Sequence, residues 1–201
     1  MITPTVPTPA VTGRARALRM PESRESSRTW KGRRRLVTSD AAWGASASAI
    51  LILIAGAMTL ATSQPWLFAA LGPTAVAVAS SPGHPTSRFH SIVVGHLTAL
   101  VCAWLVMLLV GVADAPALAA LGVVTVARVW ASAMAIAVTA LVQPSLRAYH
   151  PPAAATALLV TMGTYHLTWR SSLSMMGGVL VVALVGEWFQ RIRLKDEPVR
   201  R

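Results

Sequence analysis

Hydrophobic residues in this chain neither alternate nor recur at a helical interval. They run almost unbroken through four blocks, at about 43–63, 92–113, 124–143 and 172–190. Each block is close to the ~20 residues that an α-helix needs to cross roughly 30 Å of hydrocarbon. Two more apolar stretches, Trp66–Ser80 and Pro152–Thr168, are shorter, and each begins beside a proline. Proline suits the first turn of a helix and breaks whatever precedes it, so these stretches read as tilted spans, half-helices or re-entrant turns. The expected fold class is all-α: a polytopic transmembrane helical bundle with four long spans plus two short proline-led segments, six in all.

Composition sharpens that picture. Of 201 residues, 54% are hydrophobic and 12% charged, which excludes an ordinary soluble globule. Between Ala41 and Gly186 stand only five charged residues: Arg88, Asp114, Arg128, Arg147 and Arg170. Residues 1–40 carry nine Lys/Arg against three acids, and residues 187–201 carry five against three. Basic ends are held on the cytoplasmic side, so a multi-pass protein of the plasma (inner) membrane is expected, with both termini cytoplasmic and the lipid bilayer as its first partner. The net charge of +11 does not point to nucleic acid, because the basic residues share no face with polar and aromatic ones.

Residues 1–40, opening Thr3-Pro4-Thr5-Val6-Pro7-Thr8-Pro9, read as a disordered basic arm, 41–190 as the transmembrane domain and 191–201 as a basic tail. The first apolar run begins too late and is too long for a cleaved signal peptide. The Arg33–Arg35 cluster either binds anionic headgroups or sets orientation. A single cysteine, Cys102, excludes an intrachain disulfide and a cysteine-based metal site and reads as a small apolar residue. Trp43, Trp66, Trp169 and Trp188 suit the interfacial belt, and Gly95, Gly111, Gly177 and Gly178 suit close helix approach.

The two short segments belong to a repeat. Gln64-Pro65 recurs as Gln143-Pro144 and Pro73 as Pro152, both at an offset of 79; Arg88 recurs as Arg170 and Gly95 as Gly177, at an offset of 82. Two copies, at about 43–113 and 122–190, are expected. Three crossings per copy would invert the second relative to the first, putting Arg88 and Arg147 inside and Arg128 and Arg170 outside. Re-entrant short segments would instead move Arg128 inside and the other three outside, and charge counting does not separate the two topologies. Arg128 is expected at the boundary of its span, since an unpaired arginine within costs at least about 2.5 kcal/mol.

The most specific run is Tyr149-His150-Pro151-Pro152-Ala153-Ala154-Ala155-Thr156. A helix should start at the prolines, with its free amides and dipole aimed at His150 and favouring an anion. Here the sequence resembles the HPP family of small integral membrane proteins, through His150-Pro151-Pro152, Gly72-Pro73-Thr74-Ala75-Val76, Pro85-Thr86-Ser87-Arg88 and Gly95-His96. Ala154 and Phe89 depart from the family's usual Gly and Asn. The resemblance spans about 43–190 and implies a membrane protein, usually described with four spans, some of whose members carry nitrite.

No Asp or Glu lies deep in an expected span, whereas the helix breaks carry Arg88, His96, Arg147 and His150. The expected substrate site therefore comprises His150, Pro151, Pro152 and Ala153 from one break, Gly72, Pro73 and Thr74 from the other, and Arg88, His96 and Arg147. His150 could cap a helix end or hold a backbone carbonyl as a neutral ring, bind an anion and carry a proton as imidazolium, or ligate a metal. The spacing His84-x5-His90-x5-His96 is not a metal-ligand pattern, so no metal and no cofactor are expected. No catalytic motif is present, so no enzyme is expected. The leading function is a transporter or channel for a small inorganic anion such as nitrite. The alternative is a non-transporting scaffold whose basic arm binds a partner or anionic lipid. Homo-oligomerisation is left open.

Overall fold

The computed structural model describes residues 24–115, 118, 122–164 and 168–196. The chain forms two units, Met1–Val37 and Thr38–Arg201, and everything that follows concerns the second except where noted. The described residues hold six α-helices and no strand: α1 (Arg24–Thr62), α2 (Leu71–Ser80), α3 (Phe89–Val110), α4 (Val126–Ser145), α5 (Ala153–Thr161) and α6 (Trp169–Asp196). Four carry stretches long and apolar enough to cross a membrane: Ser39–Thr62, Phe89–Val110, Val126–Ser145 and Trp169–Lys195. These are the four blocks of the sequence, each displaced by a few residues. The chain is a multi-pass helical membrane protein.

Helix boundaries follow local chemistry. Gly111 ends α3 in the left-handed conformation, φ 72°, where a side chain would be strained. The Thr125 hydroxyl caps α4 by accepting from the Arg128 amide. Pro144 sits in the last turn of α4, and Pro152 caps α5. Upstream, α1 begins at Arg24 rather than near residue 41, so the expected arm is helical from that point. No proline interrupts the chain between Pro21 and Pro65, and its Arg, Leu and Ala residues favour helix. Residues 1–23 of the arm and 197–201 of the tail lie outside the described residues.

Side-chain contacts give the course of the short segments. From Ser63 the chain doubles back along α1: the Leu67 amide donates to Thr59 Oγ1, Ser48 reaches the Ala75 carbonyl, and Ser80 lies against Gly44. Segment 64–80 therefore runs antiparallel to α1 and returns to the end at which the span of α1 began. At the same end Arg193 pairs with Asp40, and Gln190 of α6 meets the Gly83 amide and the Ser87 carbonyl. The segment leading through α5 starts there too, since His150 contacts Thr86 and Gly95, and it finishes at the opposite end beside Arg128 and Ala115. Each interrupted segment thus traverses the bundle, although neither α2 nor α5 alone is long enough to do so.

The short helices exchange partners. α2 packs on α6, and α5 packs on α3 and α4. Glycine makes the closest approaches possible. A Cβ on Gly178 would lie 2.1 Å from the Trp66 carbonyl oxygen, one on Gly177 2.4 Å from the Trp66 ring, and one on Gly95 2.8 Å from His150 Cβ. Trp66 therefore covers Gly177 instead of serving only the interfacial belt. Gly111 is a helix stop with nothing within 4 Å, so it mediates no close approach.

Candidate functional site

Where the two interrupted segments meet, the bundle encloses a cluster of polar side chains. Thr74, His96 and His150 are each fully buried, and Thr156 is nearly so. Thr74 Oγ1 lies 2.9 Å from His96 Nε2 and 3.2 Å from His150 Nε2. His96 Nδ1 is 2.7 Å from Thr156 Oγ1, and His150 Nδ1 is 2.7 Å from the Thr86 carbonyl oxygen. The two imidazoles stand 5.2 Å apart between centroids, and Phe68 meets His96 edge-on at 6.4 Å.

Proton positions follow from what each partner can do. A carbonyl only accepts, so His150 Nδ1 carries its proton, and Nε2 of the neutral ring must accept. Thr74 supplies that proton and then accepts from His96 Nε2–H. His96 Nδ1 in turn accepts from Thr156. Every polar atom is satisfied by one directional chain: Thr156 to His96 to Thr74 to His150 to the Thr86 carbonyl. Thr74 Oγ1 also lies 3.0 Å from the Ala70 carbonyl, an alternative acceptor for the same single proton.

His150 belongs to the connection between α4 and α5, outside the four spans. Its backbone amide donates to Gln143 Oε1, and Gln143 Nε2 donates to the Gly95 carbonyl, so one glutamine ties α3 to the histidine turn.

The expected site residues separate into three groups. His150, Thr74 and His96 converge. Ala153 is buried at the start of α5, whereas Pro151 and Pro73 are exposed and Gly72 faces open space. Arg88 and Arg147 are exposed outside the cluster but close to it in sequence, Arg88 capping α3 two residues past Thr86 and Arg147 three before His150. The amides expected to be free at the helix starts are engaged: Leu71 and Gly72 donate to Phe68 and Ala69, and Ala153, Ala154 and Ala155 to His150, Pro151 and Pro152. Tight turns before each helix bring a carbonyl within reach of every one of these donors.

Arg128 stands at the boundary of its span, as expected, but it is buried there. It occupies the first turn of α4 yet is 1% exposed, and its guanidinium donates to the Thr161 carbonyl at 2.6 Å and the Ala115 carbonyl at 2.5 Å. A cation there complements the carbonyl end of the α5 dipole, which makes it a helix cap built from another helix. Beside it Thr161 and Ser132 hydroxyls lie 2.8 Å apart. Thr156 was readable in the sequence, since it follows Thr74 by the offset of 82 shared by the arginine and glycine pairs. The role of Arg128 carried no such signal.

No curated protein and no solved structure matches the chain. The family described as "HPP, transmembrane region" matches residues 33–198, which include all six of the interrupted or membrane-long segments. Its eponymous triad falls on His150-Pro151-Pro152, at the histidine turn beside the buried cluster. With most of its length covered, the chain belongs to the HPP family of integral membrane proteins.

Proposed function

We propose that this protein is a plasma-membrane transporter for a small inorganic anion of nitrite's size and charge, and not an enzyme. The observation that carries the proposal is the junction of two interrupted segments at Thr74 and His150. Broken helices are stable in hydrocarbon only where protein satisfies their backbone, and in transporters such breaks mark the substrate path. The residues around the break are cationic or protonatable, and none is a carboxylate. Arg88 and Arg147 are exposed and lie within three residues of Thr86 and His150, and cations so placed raise the local concentration of anions. The complete burial of Thr74, His96 and His150 corresponds to an occluded state.

An inverted duplication supports the same reading. Along the bundle α1, α3 and segment 146–161 run one way, and segment 64–80, α4 and α6 run the other, so matching elements of the two copies point oppositely. Both ends of Thr38–Lys195 then lie on one side, with Arg88 and Arg147; basic residues favour the cytoplasm for that side. Alternating access would be rocking of one copy against the other around the shared cluster.

Reconstituted protein should pass nitrite or a similar anion, and His150→Ala should lower the flux several-fold while the protein keeps its elution volume and helicity. Flux equal to that of empty vesicles for nitrite, nitrate, formate and chloride would falsify the proposal. The scaffold alternative predicts that removing residues 1–38 destroys function, whereas a transporter keeps its flux.

A further inference from the structure

The hydroxyl of Thr74 sits between two imidazoles, and its neutral hydrogen-bond pattern has a fixed direction. Such a chain can move a proton without moving a heavy atom far. We propose that Thr156, His96, Thr74 and His150 form a relay that takes up one proton with each anion, making the protein a proton–anion symporter. The inference rests on the transporter reading and names its coupling ion.

The relay balances atom by atom. An excess proton binds His96 Nδ1 as the Thr156 hydroxyl turns from donor to acceptor. The Nε2–H bond of His96 breaks as its proton joins Thr74 Oγ1, and the proton that Thr74 held joins His150 Nε2. His96 ends neutral with its proton on Nδ1, Thr74 ends as a hydroxyl, and His150 ends as imidazolium. The added charge has moved to the ring bonded to the Thr86 carbonyl. Run backwards, the same steps discharge it.

Coupling follows from the surroundings. The groups facing the two rings are Thr74 from α2, Gly95 from α3, Thr156 from α5, Gln143 from α4, the Thr86 carbonyl, and Phe68 ahead of α2. Apart from the two imidazoles, none of these titrates and none is a carboxylate. An imidazolium alone is therefore a desolvated, unpaired cation, and an anion alone is an unpaired anion. Together they are neutral, so each stabilises the other by the same factor. Two protons are disfavoured because the rings are neighbours at 5.2 Å. Where only a packing role existed, the Thr74 hydroxyl would matter for stability and not for stoichiometry.

The test uses the full chain. In nanodiscs with 15N-labelled histidine, His150 should carry its proton on Nδ1 and His96 on Nε2 at neutral pH, and adding sodium nitrite in weak buffer should remove one proton per chain from solution. In proteoliposomes a gradient of one pH unit should drive accumulation of nitrite or nitrate up to about tenfold, at rates above empty vesicles and insensitive to a potassium diffusion potential. Thr74→Val should abolish the pH drive, and Thr74→Ser should restore it. Anion flux that follows the potential and ignores the pH gradient overturns the relay and leaves transport standing. Absence of flux for every anion tested overturns both. Should Thr74→Val not fold, the wild-type proton uptake decides: none on nitrite binding, or the reverse tautomers, overturns the relay.

Discussion

Arg128 and Gly163 form a pair whose coupling can be worked from geometry. Gly163 follows α5 in the left-handed conformation, φ 69°, and a Cβ built there would lie 2.9 Å from both terminal guanidinium nitrogens of Arg128. Gly163→Ala alone therefore carries two costs. The left-handed backbone costs an alanine about 1–2 kcal/mol. The guanidinium cannot retreat freely, because it is pinned to the Thr161 and Ala115 carbonyls; losing one such charge-assisted bond adds about 1.5–3 kcal/mol. The sum is about 2.5–5 kcal/mol. Arg128→Met alone leaves one buried and one part-buried carbonyl without a charged donor and should cost about 3–6 kcal/mol by the same values. In the double variant the steric conflict is gone, so Gly163→Ala should then cost only the backbone term. The expected coupling is about 1.5–3 kcal/mol, readable by unfolding of the four proteins in one detergent. Costs that add to within about 0.5 kcal/mol would refute the account of Arg128 as a pinned cap.

Other substitutions follow the same logic. Gly178→Ala, whose Cβ meets the Trp66 backbone at 2.1 Å, should prevent accumulation of folded protein, whereas Gly56→Ala, with 3.6 Å to the Leu67 side chain, should be tolerated; expression and size-exclusion profiles compare them. Gln143→Leu unties the Gly95 carbonyl and the His150 amide together and should lower stability by about 2–4 kcal/mol. Arg147 holds a left-handed backbone, φ 52°, so Arg147→Gly should raise stability by about 1 kcal/mol while slowing anion uptake at low salt, with the difference in uptake shrinking as salt is raised.

The spans were legible because uninterrupted hydrophobicity over ~20 residues has few other meanings. The interrupted segments were legible as interruptions, through Pro65, Pro73, Pro144 and Pro152, while whether they cross or re-enter stayed open. What carries them across is the unwound chain ahead of each helix, satisfied by hydroxyls such as Thr59 and by turns, and no periodicity encodes that. Thr74, His96 and His150 were identifiable because polar residues at helix breaks in an apolar chain are few. Their closure against Phe68 and Gly95 was not, since it depends on how α5 docks on α3. The boundary position of Arg128 was legible from the nearby helix start, but its burial was not, because the compensating carbonyls come from residues 115 and 161.

The proposed duplication also bears on why there is one site and not two. Thr74 and Thr156 stand at the offset of 82, and they bind the two nitrogens of a single ring, His96. At that same offset from His96 stands Gly178, which gives up its side chain to the Trp66 carbonyl, and at that offset before His150 stands Phe68, which packs against His96 without a polar atom. Under the proposed duplication, two matching threonines clasp one imidazole, and the matching positions Phe68 and Gly178 serve as packing surface. A second imidazole pair would add two more buried ionisable groups to a dry interior, where each must be held neutral or matched by an ion. On the proposed coupling, one pair lets a single anion and a single proton neutralise the core. Restoring the symmetry by Phe68→His should therefore cost stability without adding a second transport stoichiometry, measurable as a lower unfolding midpoint with proton uptake still at one per chain.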